Sequence, residues 1–83
     1  FMKGQMAIVL IGAGGVVRDT ATRVAAVMSV ADAAWSLGFG TVGVTASPLP
    51  GPSGNVEYFV WLREGAAQLE PATVLAAVEA GPQ

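Results

Sequence analysis

Glu57 stands alone as an acid inside "NVEYFVWL" (55–62), with Val56, Tyr58, Phe59, Val60 and Trp61 around it. An ionised carboxylate is costly to bury unless it is paired. Glu57 therefore either reaches solvent at a strand end or does chemistry there. Other groups could act near phosphates or nucleotides. Arg18 and Asp19 sit side by side ahead of a helical pattern, where Asp19 or Thr20 offers the N-cap and Arg18 reads as a solvated charge or as a phosphate or RNA contact. "GAGGVV" (12–17) follows an apolar run in the manner of a dinucleotide-binding loop, but Val17 stands where the third glycine of G-x-G-x-x-G belongs. Asp32 has the spacing of a ribose-binding acid, yet it falls in the middle of a helical pattern rather than at a strand end.

Composition removes much of the remaining chemistry. The 83 residues include no cysteine and no histidine. Disulfides, thiolate metal sites and imidazole bases are thereby excluded from this chain. A net charge of −2 supplies no electrostatic footprint for nucleic acid, so contact with RNA needs cationic surface from elsewhere. The chain is 53% hydrophobic and only 12% charged, more apolar surface than so small a body can hide. This predicts a partner surface, or a polypeptide cut from something longer, as Phe1 ahead of Met2 also suggests. Lys3 and the apolar stretch 6–17 imitate a signal peptide, but Gly12, Gly14 and Gly15 interrupt the stretch and no clear cleavage site follows. No run approaches the roughly 18 apolar residues of a membrane span, and the expectation is a soluble, cytoplasmic protein.

Elements that could position these groups follow from periodicity. "AIVLI" (7–11) is a β-branched run closed by glycines and reads as a buried strand. Val24, Val27, Met28, Ala31 and Trp35 recur at helical spacing, so a helix is predicted over 20–37, stopped by Gly38 and packed through Met28 and Trp35. Arg23 and Arg63 read as surface charges. "TVGVTAS" (41–47) and "NVEYFVWL" (55–62) are strands, and "PLPGPSG" (48–54) is a stiff loop between them. The second of these strands is apolar on both faces and should lie inside a sheet. Glu70-Pro71 opens a last, alanine-rich helix reaching about Ala80.

The order strand, helix, strand, loop, strand, helix is an α/β arrangement. If 41–47 and 55–62 pair as an antiparallel hairpin, the end of the first and the start of the second share one sheet edge. If the first also runs parallel to its other neighbours, that edge is the carboxyl edge, where open α/β sheets bind ligands. Asn55 and Glu57 then face the crevice, with Ser53 and Gly54 beside them.

"GVTASPLPGPSGNVEYFVWLR" (43–63) closely resembles the TlyA family, also called hemolysin A, and "GGVVRD" (14–19) resembles the same family just before the helix. These proteins look like FtsJ-type ribose 2′-O-methyltransferases of ribosomal RNA preceded by a small RNA-binding domain. The resemblance covers residues 12–63. It implies that 1–83 is a single partial domain, the C-terminal part of a class I (Rossmann-like) methyltransferase fold, and that the intact protein acts on ribosomal RNA or ribosomal subunits with S-adenosylmethionine. The family's Lys-Asp-Lys-Glu tetrad places its glutamate in the "NVEYF" segment, which matches Glu57. Its implied role is to position and tune a lysine that deprotonates the ribose hydroxyl.

The departures are also specific. The family's second catalytic lysine precedes Pro-Gln-Phe, whereas Lys3 precedes Gly4 and Gln5, so that role is not assigned to Lys3. "MAIVLI" (6–11) interrupts the family pattern as an insertion, a foreign junction or another strand. The remaining tetrad members and the cofactor loop belong further upstream in the family. The isolated chain is thus expected to be inactive, and to form a homo-oligomer or pack against a missing N-terminal part through Val56, Phe59 or Trp61. A non-catalytic binding or structural α/β module that keeps only the hairpin is the alternative, and a nucleotide-binding fragment using Gly12, Gly14 and Gly15 is a third reading.

Overall fold

A computed structural model describes residues 4–11, 19–48 and 56–81 of the chain. It contains β1 (Gly4–Ile11), α1 (Thr20–Ser36), β2 (Phe39–Ala46), β3 (Val56–Glu64) and α2 (Pro71–Ala80). The three strands form one sheet in the order β1-β3-β2. β3 runs antiparallel to both neighbours, which makes β1 and β2 point the same way. The predicted hairpin pairing is present, with Ala46 opposite Tyr58, Thr45 opposite Phe59 and Val44 opposite Val60. The register shifts between Thr41 and Gly43, a bulge that adds local twist.

Alternation along β3 divides its side chains between two environments. Tyr58, Val60 and Leu62 are buried in one cluster with Val27, Ala31 and Ala34 of α1, Leu69, and Val74 and Val78 of α2. Both helices therefore cover the same face of the sheet. Glu57, Phe59, Trp61 and Arg63 belong to the other face, where Trp61 remains 45% exposed. β3 is internal, as its doubly apolar sequence predicts, but only one of its faces is covered by the described helices.

Local chemistry sets the element ends. Gly38 adopts φ 96°, a left-handed conformation that side-chain-bearing residues avoid, and ends α1 two residues beyond Ser36. The Leu37 and Gly38 amides donate to the Ala34 and Trp35 carbonyls at 3.0 Å each. β2 thus begins at Phe39, two residues earlier than predicted. Gly40 is required for a different reason: a Cβ there would overlap the Ala66 carbonyl of the segment that follows β3. Close by, the Thr41 amide donates to the Ala67 carbonyl at 2.9 Å. Pro71 opens α2 at a position where its missing N–H costs no hydrogen bond.

Two expectations are corrected. Trp35 does not pack in the core and is 45% exposed, because the buried stripe of α1 runs through Arg23, Val27, Ala31 and Ala34. The small side chains of Ala31 and Ala34 face the sheet, and Met28 stays partly buried at the flank. Arg23, read as a surface charge, is only 2% exposed. Its spacing of four residues from Val27 puts it on the sheet-facing side. The loop at residues 49–55 and the glycines at 12–15 lie outside the described residues.

Asp19 caps α1 as predicted. Its carboxylate accepts from the Thr22 hydroxyl at 2.6 Å and from the Thr22 amide at 3.1 Å. The hydroxyl bond, then the amide bond, hold the carboxyl below its ordinary value of 3.8. A depressed folded-state pKa gives stability that is present above the unfolded value and lost as pH falls through the folded one. Asp19→Ala should lower the urea midpoint at pH 7, and the gap from the unsubstituted chain should shrink as pH drops below 3.8. A gap independent of pH would contradict the cap's ionic character.

Candidate active site

Since β1 and β2 run in one direction and β3 in the other, the C-terminal ends of the outer strands flank the start of the central one. Glu57 is opposite Leu10, near the end of β1, and Val56 is opposite Ile11. On the other side the Ser47 amide, one residue past β2, donates to the Glu57 carbonyl at 2.8 Å. The Glu57 backbone is thereby bonded on the β2 side and faces Leu10 of β1 on the other, at the edge where these two strands end. Its side chain is half-buried and lies on the face away from the helices. The route differs from the one expected: β2 is an edge strand paired only with β3, and it is β1, across β3, that shares its direction.

From Glu57 the open face continues through Phe59 and Trp61. With Val42, Gly43, Val44 and Thr45 of β2 they line a shallow apolar groove of about 240 Å³. Two larger recesses lie elsewhere. One of about 390 Å³ runs between β2 and α2, and one of about 630 Å³ between α1 and α2 is lined by Val24, Met28, Pro71 and Leu75. None of these three recesses is lined by Glu57.

Of the residues expected beside Glu57, Arg18, Ser53, Gly54 and Asn55 lie outside the described residues, as does Lys3. Asp32 is exposed on α1, away from any strand end. The edge holds residues that sequence reasoning missed. Ser47 is 7% exposed, and Arg23 enters the core from the first turns of α1. Arg23 was open to detection, since 23, 27 and 31 are spaced as one helical stripe. Among the described residues no group of three His, Cys, Asp or Glu side chains could hold a metal ion. Nor is any helix among them long and apolar enough to cross a membrane.

The sequence profile of the FtsJ-like methyltransferases matches residues 2–64. This chain belongs to that family. The match takes in the strand at 4–11 as well as the segment around Glu57. The chain is also similar to a 16S/23S rRNA (cytidine-2′-O)-methyltransferase, TlyA, present in two strains of Mycobacterium tuberculosis, with 59% identity over 61 residues in each case. That alignment covers 74% of this chain and 21% of the relative, so the chain spans about a fifth of the curated relatives it matches. A solved structure from Streptococcus thermophilus, provisionally described as a hemolysin, superposes with a TM-score of 0.72 over 94% of this chain and 33% of that one. At 22% identity this likeness establishes the fold.

The family is one of methyltransferases, and the described residues can be tested against the donor such enzymes use. A nucleoside-bearing sulfonium needs an enclosed cleft with polar groups for its ribose and amino acid parts. The recess nearest Glu57 is shallow and almost wholly apolar, lined by Val42, Gly43, Val44, Thr45, Phe59 and Trp61. That groove does not fit such a group. Titration of the 83-residue chain with S-adenosylmethionine should accordingly give a flat isotherm. Saturable heat at millimolar ligand or below would show that these residues make a donor site after all.

Proposed function

We propose that the protein containing this segment transfers a methyl group to a ribose 2′-hydroxyl of ribosomal RNA, and that Glu57 is the carboxylate of its catalytic constellation. S-adenosylmethionine is the donor proposed for the whole protein, the ribosomal RNA or ribosomal subunit its partner, and the cytoplasm its location. The observation that carries the reading is the placement of Glu57 at the start of the central strand, between the ends of two parallel strands, in a stretch 59% identical to the named rRNA methyltransferase.

The chemistry asked of Glu57 is electrostatic. A ribose hydroxyl is a weak nucleophile until its proton is taken. A lysine amine that accepts this proton becomes cationic, and a carboxylate beside it stabilises the cation as it forms. Glu57 suits that task because its backbone is held between two neighbouring segments while its side chain remains only half-buried. Arg18, Ser53, Gly54 and Asn55 are proposed to contact the RNA.

The test uses a full-length chimera in which this chain's matched stretch replaces the corresponding stretch of the M. tuberculosis relative. Glu57→Ala should lower methyl transfer to ribosomal RNA by about a hundredfold or more, with donor affinity nearly unchanged. Glu57→Gln should fall almost as far, because it keeps the shape and loses the charge. Near-native turnover of either variant would refute the assignment.

A further inference from the structure

Arg23 is the one buried ionic side chain among the described residues. A stripe of Val27, Ala31 and Ala34 could be continued by an apolar residue, and replacing a buried charge by a well-packed apolar group is commonly neutral or stabilising. Stability alone therefore gives no reason for an arginine at this position. Its level in the fold suggests one. α1 has 17 residues and spans roughly 25 Å, while β2 has 8 and spans roughly 26 Å. The tight turn at Leu37 and Gly38 joins them at the edge opposite Glu57, so α1 returns along the full length of β2. Arg23, in the first turns, comes level with Ala46 and its partner Tyr58, the residue after Glu57.

The other buried polar groups gather at the same level. Ser47 is 7% exposed and its amide holds the Glu57 carbonyl. Tyr58 is fully buried, and its hydroxyl has no hydrogen-bond partner among the described residues. A buried hydroxyl without a partner is destabilising. Toward the far end of the same core the buried side chains are apolar, among them Ala34 and Leu62. The polar cost of this small core is thus concentrated at the edge that bears Glu57. Arg23 itself is engaged rather than unpaired.

We propose that Arg23 is a positioning residue for Glu57. From the first turns of α1 its buried guanidinium fixes the strand ends at the carboxyl edge, so the carboxylate on the opposite side of β3 keeps one placement. A planar fork of five donors suits this role better than a flexible ammonium, because it holds several acceptors in one geometry. The inference rests on the role of Glu57 given above, and the experiment separates the two.

Amide hydrogen exchange in the 83-residue chain compares Ser47, bonded to Glu57, with Thr41, bonded to Ala67 at the other edge. Arg23→Met should speed exchange at Ser47 about tenfold relative to Thr41. Val27→Ala, one turn further along the stripe, should speed both alike. Arg23→Gln provides the same ratio should the methionine variant not fold. In the full-length chimera Arg23→Met should lower kcat about tenfold with KM little changed, and Arg23→Lys should recover part of it. Equal acceleration at both amides, or an unchanged kcat, overturns the proposal. If Glu57→Ala keeps its turnover, the functional reading fails, and the Ser47-to-Thr41 ratio alone decides for or against Arg23.

Discussion

Everything in this structure depends on β3 being hydrogen-bonded on both sides by strands that run against it. That pairing satisfies both edges of the most apolar segment of the chain, which would otherwise offer unpaired amides and carbonyls to any passing strand. It also forces β1 and β2 to be parallel, so the connection between them must cross over the sheet. α1 is that crossover, and its length matches the strand it returns along. The start of β3 then has one location open to it, between the two ends of its neighbours. The position of Glu57 is a consequence of strand order.

The same arrangement divides labour between the faces. Tyr58, Val60 and Leu62 anchor the strand against both helices, while Glu57, Phe59 and Trp61 look the other way. A half-buried acid beside exposed aromatic surface is unfavourable in isolation and reasonable where other chain segments complete a site. The match to the FtsJ-like methyltransferases, over residues 2–64, supplies the context in which an acid at that edge has a use. The chain matches about a fifth of its curated relatives, and those relatives bear the name of an rRNA 2′-O-methyltransferase.

Much of this was legible in the residues. β-branched and aromatic runs marked the strands, Asp19 and Gly38 marked the ends of α1, and Pro71 marked the start of α2 within a residue or two. The antiparallel hairpin followed from prolines and glycines clustered between two such runs. The pairing of β1 was not legible, because a short apolar run carries no signal of its neighbour. Arg23 and Trp35 were misjudged for one reason: hydropathy chose the buried face of α1, while packing chose the face with small residues and accepted an arginine on it. The carboxylate was found from the oddness of its surroundings and from family resemblance, whereas the buried polar groups beneath it required three-dimensional placement.

β3 lies between β1 and β2 in this register. Nuclear Overhauser effects between backbone protons of the isotopically labelled chain test it most directly. Tyr58 should show cross-strand contacts to both Val9 and Ala46, and Glu57 to Leu10, in accord with the pairing described. Contacts to one side only would remove β3 from the centre of the sheet. A register displaced by a single residue would turn Glu57 toward the helices and remove it from the open face.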